Sequence, residues 1–217
     1  MKTIYILFLG GYDPMSWIIK MVTKAPYVHS ILALDSKLTE LYSYNLKIRI
    51  KNRRLSFQNG FIVEQIDQYQ KNLPYWLYRV KVTNKQYDKI AHLINKFKNN
   101  PNLTSYHIKG ALGFAFPMLW RHVNKQKKYT FTCSEFIAYM LQTSNVVSFD
   151  KPIYQISPKD IIQTNKLKFL GNGKIGNLSN SLIRKNPPVL KQQRGYHRIR
   201  DYFTTDSPFS YHLARSN

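Results

Sequence analysis

Runs of apolar residues divide much of the chain into short strands. Such runs, bounded by Gly, Pro, Asn and Asp, predict strands at 3–9, 27–34, 38–44, 61–66 and 75–82. The turn between the second and third of these runs is only about three residues long, so these two strands form an antiparallel hairpin. Asp13 and Pro14 are typical of a helix start and predict a helix at 14–22.

Helical periodicity dominates the second half of the chain. Thr83 and Gln86 form a capping-box pattern at the start of a helix at 83–98, whose apolar residues fall on one stripe. Further segments predict a helix at 106–120, a short helix begun by Ser157-Pro158, and a last strand at 166–170. These elements predict an α+β fold in which an antiparallel sheet packs against helices.

The segment "YTFTCSEFIAYML" places a cysteine at a helix start. Thr132 and Glu135 form a second capping box, so the helix begins at Cys133. Free backbone N–H groups and the helix dipole favour a thiolate there, and the same N–H groups suit an oxyanion. The alternative is an inert cysteine, because free Cys usually behaves as a small buried hydrophobe.

A histidine interrupts the apolar run "YVHSILAL". Burying the His29 imidazole is unfavourable unless it finds a partner, so it is either a hydrogen-bonded core residue or half of an active site. A cysteine at a helix start and a histidine on a nearby strand are typical of papain-type chemistry. Across the hairpin, Glu40 is the candidate that orients His29, with Ser43 and Tyr42 as alternatives. A solvent-exposed Glu40 is the competing interpretation.

Composition limits the other classes of function. The 217 residues suit one domain with an appendage, and 43% hydrophobic content indicates a globular chain. Cys133 is the only cysteine, so an intramolecular disulfide and a thiolate metal cluster are excluded. The six histidines show no metal-ligand spacing, and we predict neither a metal nor a cofactor. The N-terminal apolar run is too short for a signal peptide and no segment is long enough to span a bilayer, so we expect a cytoplasmic protein.

Positive charge is the other prominent feature. The formal net charge of +22 favours anionic partners: lipid headgroups, nucleic acid or another anionic polymer. We predict a basic loop at 46–59. Within it, alternating cationic and apolar residues indicate a strand edge with one cationic face that contacts phosphates. The competing interpretation is that these charges are simply solvated. The candidate contacts are Lys47, Arg49, Lys51, Arg53 and Arg54. Irregular composition predicts that residues 171–217 are a basic C-terminal extension of a domain at 1–170.

Four segments carry a resemblance to a known family: "YVHSILALDSKLTELYSYN", "NGFIVEQI", "FTCSEFIAYML" and "FDKPIYQISPKDI". Together they resemble the permuted papain-like cysteine hydrolases of the YiiX/YaeF type, in the NlpC-like group that is related to lecithin:retinol acyltransferase. In that family the histidine strand precedes the cysteine helix, and here His29 precedes Cys133 by 104 residues. The resemblance implies a circularly permuted papain-like (NlpC-like) fold at 1–170, with the nucleophile at a helix N-terminus.

The resemblance also implies an activity. Cys133 would be the nucleophile and His29 the general base of a cysteine-dependent hydrolase or acyltransferase that acts on an amide, ester or thioester bond. Glu40 matches the polar position that follows the histidine strand in the family. The alternative is a catalytically idle papain-like module that binds an anionic partner through its basic surface. The basic segment at 46–59 is unusual for the family and the extension at 171–217 has no counterpart in it. Neither the acyl or peptide substrate nor the oligomeric state follows from the residues.

Overall fold

A six-stranded antiparallel sheet organises the computed structural model, which describes residues 1–11, 26–51, 54–113 and 129–178. Its strands lie in the order β4-β3-β2-β1-β5-β8. They are β1 (Lys2–Leu9), β2 (His29–Ala33), β3 (Leu41–Lys51), β4 (Arg54–Glu64), β5 (Pro74–Val82) and β8 (Leu167–Lys174). Two short parallel strands, β6 (Ser105–Tyr106) and β7 (Thr130–Phe131), form a second sheet. The predicted α+β class with an antiparallel sheet is therefore confirmed.

Among the described residues, the helices beside the sheet include α1 (Asn84–Asn99), α2 (Ile108–Gly113), α3 (Cys133–Thr143) and α4 (Pro158–Ile162). Both predicted capping boxes are present, at the starts of α1 and α3, and a third caps α4. In each box the cap hydroxyl accepts a backbone N–H while the side chain three residues later accepts the N–H of the cap residue. The predicted helix start at Cys133 is confirmed.

For the segment 46–59, the predicted strand edge is confirmed and the predicted loop is wrong, because β3 and β4 continue through it as a hairpin. Its pairing runs from Leu46 opposite Asn59 to Lys51 opposite Arg54, at the edge of the sheet. Alternation along these residues is a strand signal that outweighs their polarity. The predicted helix at 14–22 lies outside the described residues, as does the C-terminal part of the helix predicted at 106–120.

The last strand is longer than predicted and extends past residue 170 to Lys174. Residues 179–217 lie outside the described part, so the division into a domain and a basic extension stays a prediction. Within the described residues, no helix is long and apolar enough to cross a membrane. The cytoplasmic location also stays a prediction.

The sheet is covered on both faces, which explains its continuous apolar runs. Ile4, Ile6 and Phe8 of β1 belong to a first core cluster that includes residues of α1, α3 and α4. Leu7 and Leu9 point the other way, into a second cluster. Because alternate residues of a strand share a face, each neighbouring pair contributes one residue to each core.

Aromatic rings fix helix α3 against the first face of the sheet. Phe136 of α3 lies 5.1 Å from Tyr44 of β3 and 5.8 Å from Phe61 of β4, measured between ring centroids. Phe97 of α1 contacts the same rings at 6.0 Å from Tyr44 and 5.7 Å from Phe61. Such pairs stabilise packing by about 0.5–1.5 kcal/mol each beyond their buried area. The direction of α3, and with it the position of its first residue, follows from this packing.

A glycine lets the segment before β6 approach strand β4 closely. Gly60 has a φ of +103°, and a Cβ there would lie 2.6 Å from Thr104 Oγ1 and 2.8 Å from the Thr104 carbonyl carbon. The approach allows the Phe61 N–H to donate to Thr104 Oγ1 at 3.1 Å. The contact holds residues 104–106 beside the strand that carries Glu64.

We expect Gly60→Ala to destabilise the protein by about 2 kcal/mol or more, because it combines a strained φ with a backbone clash. Chemical denaturation measures the change in the free energy of unfolding. Gly173→Ala is the matched control, since its Cβ would meet Tyr75 at an ordinary 3.4 Å. Equal effects of the two substitutions would contradict the close approach.

Candidate active site

Cys133 is the first residue of α3 and is buried, with 6% of its surface exposed. Thr132 caps the helix, so the cysteine lies where backbone N–H groups lack intrahelical acceptors. Its sulfur lies 3.9 Å from the Val28 carbonyl oxygen, immediately before β2. The first turn of α3 therefore meets the start of the histidine strand.

His29 is the first residue of β2 and follows Val28, so its imidazole and the Cys133 thiol each shift the pKa of the other. Burial opposes protonation of His29, but interaction with Cys133 and with Glu64 outweighs burial and raises its pKa to about 9. Burial likewise raises the pKa of the Cys133 thiol, yet His29 and the backbone N–H groups of Ser30 and Ser134 lower it overall. These opposite shifts favour a thiolate–imidazolium pair.

A buried carboxylate lies behind the imidazole. Glu64 ends strand β4, is 1% exposed, and has its Oε2 4.0 Å from His29 Nε2. The same oxygen accepts hydrogen bonds from the Ser43 hydroxyl at 2.9 Å and the Tyr69 hydroxyl at 2.6 Å. Hydrogen bonds to a carboxylate favour its charged form, which is the form that attracts an imidazolium.

Strand alternation explains why His29 and Glu64 meet. His29 shares its face of β2 with Ile31, and Glu64 is paired with Leu41 of β3. Ile31 and Leu41 both belong to the second core cluster, so the imidazole and the carboxylate lie on the same face of the sheet.

The structure does not bring Glu40 to His29, which corrects the prediction that it orients the imidazole. The register pairs Leu32 with Tyr42, so Glu40 lies beyond the Ala33 end of β2 while His29 begins that strand. Glu40 instead binds Lys98 Nζ at 3.1 Å and accepts a hydrogen bond from the Tyr42 hydroxyl. Both contacts lower the pKa of Glu40, and the hydrogen bond from Tyr42 has the larger effect. Its side chain is 44% exposed.

Two phenol rings lie close to the thiol. Burial raises the pKa of Tyr69 and of Tyr106. Glu64 raises that of Tyr69 next, and the negative charge of a Cys133 thiolate raises both further. Both rings therefore stay protonated and uncharged at neutral pH. They add hydroxyl groups and apolar surface near the Cys133 thiol without adding charge.

Glu64 is the site residue that sequence reasoning missed. The signal that could have found it is the alternation of faces along β4: Ile62 is 3% exposed, Val63 is exposed, and Glu64 therefore returns to the buried face. A carboxylate at an inward-facing strand position needs a partner, and it is therefore a candidate for function. Of the alternatives to Glu40, Ser43 does reach the site, through Glu64, whereas Tyr42 contacts Glu40.

The predicted cationic residues lie on the β3–β4 hairpin, apart from Arg53, which lies outside the described residues. Lys47, Arg49 and Lys51 occupy alternate positions of β3, and Arg54 lies opposite Lys51. Directly opposed residues of an antiparallel pair share a face, so these four positions share one face of the hairpin. As for metals, the described ranges contain no group of three or more His, Cys, Asp and Glu residues that would hold a metal ion.

Comparison with solved structures gives five similar chains, one of which is described below. No protein-family model and no curated protein matches the chain. The crystal structure of the metalloprotein yiiX from Escherichia coli O157:H7 is similar over 78% of this chain and 96% of that chain, with 14% sequence identity and a TM-score of 0.46. A likeness of that degree carries no argument about chemistry, which depends here on the geometry of the site.

We expect Glu64→Gln to lower the pKa of His29, because the amide keeps the hydroxyl contacts but removes the negative charge that favours the imidazolium. NMR titration of the His29 ring protons measures the change. Glu40→Gln is the matched control and should leave the His29 titration unchanged. A larger shift in Glu40→Gln than in Glu64→Gln would restore Glu40 as the orienting carboxylate.

Proposed function

We propose that the protein is a cysteine-dependent hydrolase or acyltransferase with a permuted papain-like fold. Cys133 is the nucleophile, His29 the general acid and base, and Glu64 the residue that orients His29. The observation that carries the proposal is geometric: the capped start of α3 places the Cys133 sulfur 3.9 Å from the carbonyl oxygen of Val28, the residue before His29. The lowered thiol pKa and the imidazole pKa raised to about 9 agree with this placement. An inert core cysteine has no need of such a partner.

The first half of the reaction forms an acyl-enzyme. The Cys133 thiolate attacks the carbonyl carbon of an amide, ester or thioester, and the carbonyl electron pair moves to the oxygen. The Cys133 backbone N–H, which has no acceptor within α3, contributes to stabilising this oxyanion. When the intermediate collapses, the bond to the leaving group breaks and the His29 imidazolium supplies the proton that the leaving group takes.

The second half regenerates the pair. Neutral His29 removes a proton from water or from an acceptor hydroxyl or amine as that group attacks the thioester carbonyl. Collapse then breaks the carbon–sulfur bond and returns the thiolate beside the imidazolium. Water gives hydrolysis and another acceptor gives acyl transfer, so the two activities share every step up to the choice of acceptor.

The single cysteine provides a direct test, since iodoacetamide labelling reports on Cys133 alone. We expect the apparent pKa from the rate–pH profile to lie below the value of about 8.5 that is typical of a free thiol. His29→Ala should raise that pKa and slow labelling at pH 7 by about tenfold or more, because it removes the largest interaction that counters the effect of burial on the thiolate.

His92→Ala is the control for this experiment, since His92 is exposed on α1 and should leave the profile unchanged. Labelling that is indifferent to His29→Ala would remove the dyad. Where a hydrolytic substrate is found, turnover that survives in the Cys133→Ala variant would remove the nucleophile.

The β3–β4 hairpin supports a second proposal, that the protein binds an anionic phospholipid surface. Along β3 of this hairpin, cationic and apolar positions alternate. The four cationic positions share one face, and the positions between them are apolar, with Ile48 paired with Phe57 and Ile50 paired with Leu55. Nucleic acid needs the cationic positions alone, whereas a membrane interface offers both phosphates and hydrocarbon. This surface is compatible with catalysis and would bring the site to a lipid substrate.

We expect replacement of Lys47, Arg49, Lys51 and Arg54 by Ser to weaken binding to phosphatidylglycerol vesicles about tenfold or more, because each cation near the surface contributes about 1 kcal/mol. Vesicle co-sedimentation over a range of salt concentrations measures the change. The matched control replaces four exposed lysines elsewhere, Lys81, Lys85, Lys89 and Lys159, and should have less effect. Equal losses, or binding to RNA but not to vesicles, would contradict a lipid contact at the hairpin.

A further inference from the structure

A second buried histidine–carboxylate pair lies next to the nucleophile. His107, immediately before α2, has its Nδ1 2.9 Å and 3.0 Å from the two carboxylate oxygens of Glu135. Glu135 is 1% exposed and His107 is 6% exposed. Glu135 is only two residues after Cys133, in the first turn of the same helix. The catalytic scheme above uses neither residue.

We propose that His107 is a positioning residue for the Cys133 nucleophile and acts through Glu135. The inference rests on the proposed function, since it concerns the geometry of that thiol. Glu135 Oε2 accepts the Thr132 N–H at 2.9 Å, and the Glu135 N–H donates to Thr132 Oγ1 at 3.2 Å. These bonds surround Cys133 in the chain, so the carboxylate that His107 holds fixes the backbone on both sides of the thiol.

The other capping boxes of this protein show that the helix start does not need a buried charge. The box at α1 uses Gln86, a neutral side chain, and the box at α4 uses Asp160, whose partner Lys151 is exposed. Burial raises the pKa of Glu135 above its usual value and opposes its ionisation, although His107 counteracts this. Burying this carboxylate is unfavourable, and a hydrogen bond from a histidine 28 residues away in the sequence compensates for it. We infer that Glu135 has a role beyond capping the helix.

The surrounding backbone is shaped around the imidazole. The His107 N–H donates to the Phe131 carbonyl at 3.0 Å, so the residue is tied to strand β7, which leads into the nucleophile helix. A Cβ at Gly110 would lie 2.2 Å from His107 Nδ1 and 2.7 Å from Glu135 Oε1. Only glycine leaves room for the pair at this position.

The same pair fixes one side of the site. Tyr106 precedes His107 and pairs with Phe131, two residues before Cys133. The titratable groups that face Glu135 are His107 and Tyr106, and those that face Cys133 are His29, Tyr69 and Tyr106. Loss of the His107 contact should therefore loosen the thiol from His29 and from the N–H groups of Ser30 and Ser134. Each of these groups lowers the thiol pKa, so its loss raises that pKa.

Two isosteric substitutions test the proposal. In His107→Asn the side-chain amide nitrogen occupies the place of Nδ1, whereas in His107→Gln it occupies the place of Nε2 and misses Glu135. We expect the iodoacetamide rate constant of folded His107→Asn to stay within about threefold of wild type. His107→Gln should lose about tenfold or more and show a raised apparent pKa of Cys133, since one pKa unit corresponds to a tenfold change. Near-ultraviolet circular dichroism gives the folded fraction for each protein.

The outcomes separate this proposal from a structural role and from failure of the dyad. If His107 only filled space or supplied a polar group, Gln would replace it better than Asn, because Gln is closer to histidine in size. Labelling of His107→Gln that is as fast as, or faster than, that of His107→Asn would therefore overturn the inference. Met140→Ala in the same helix controls for instability and should leave the rate constant of the folded protein unchanged, because Met140 lies about two turns from Cys133. An ordinary pKa for the Cys133 thiol of the wild-type protein would refute the proposed function. A low thiol pKa that depends on His29, together with equal labelling rates for His107→Asn and His107→Gln, would refute only the role of His107.

Discussion

The contact between the first turn of helix α3 and the start of strand β2 is the constraint on which the rest of the structure depends. It brings the sulfur of Cys133 to the Val28 carbonyl at 3.9 Å and to the imidazole of the next residue. The aromatic rings that lie between α3 and the sheet set the direction of the helix, and the Thr132 cap sets its first residue. A shift of one residue in either element would turn the thiol or the imidazole away from the other.

Burial of charge is the second theme of the molecule. Glu64 and Glu135 are both 1% exposed, and each lies beside a histidine. An unpaired buried carboxylate would be neutralised by a raised pKa, so the histidines and hydroxyls around these two groups determine whether they remain charged. In the proposed mechanism, Glu64 acts on the base His29, and Glu135 acts on the backbone around the nucleophile Cys133.

The β3–β4 hairpin shows how one pair of strands serves both core and surface. Near Leu41 and Glu64 the pair is buried and supplies the site, whereas from Leu46 onward it runs to its turn along cationic and apolar positions. The same alternation of period two that places Glu64 inside also separates the charged positions from the apolar ones. The interior carboxylate and the proposed lipid contact are therefore consequences of one register.

Local sequence determined the elements whose signals are local. The capping boxes at Thr83 and Thr132, the apolar stripe of α1 and the apolar runs of β1, β2 and β5 depend on residues within a few positions of one another. Their presence therefore follows from the chain alone, and their predicted bounds differ from the structure by one or two residues at most. Cys133 and His29 were candidates for the same reason, since a thiol at a helix start and a histidine in an apolar strand are unusual residues in their own segments.

Only the tertiary structure decided which carboxylate lies behind His29. Glu40 is nearer in sequence, but strand register and the alternation of faces place it beside Lys98, while Glu64 arrives from the far strand of the next hairpin. Pairing between strands depends on packing over the whole sheet and has no signature in one segment. The sequence therefore determined the two residues of the proposed dyad, and the sheet determined which carboxylate lies beside His29.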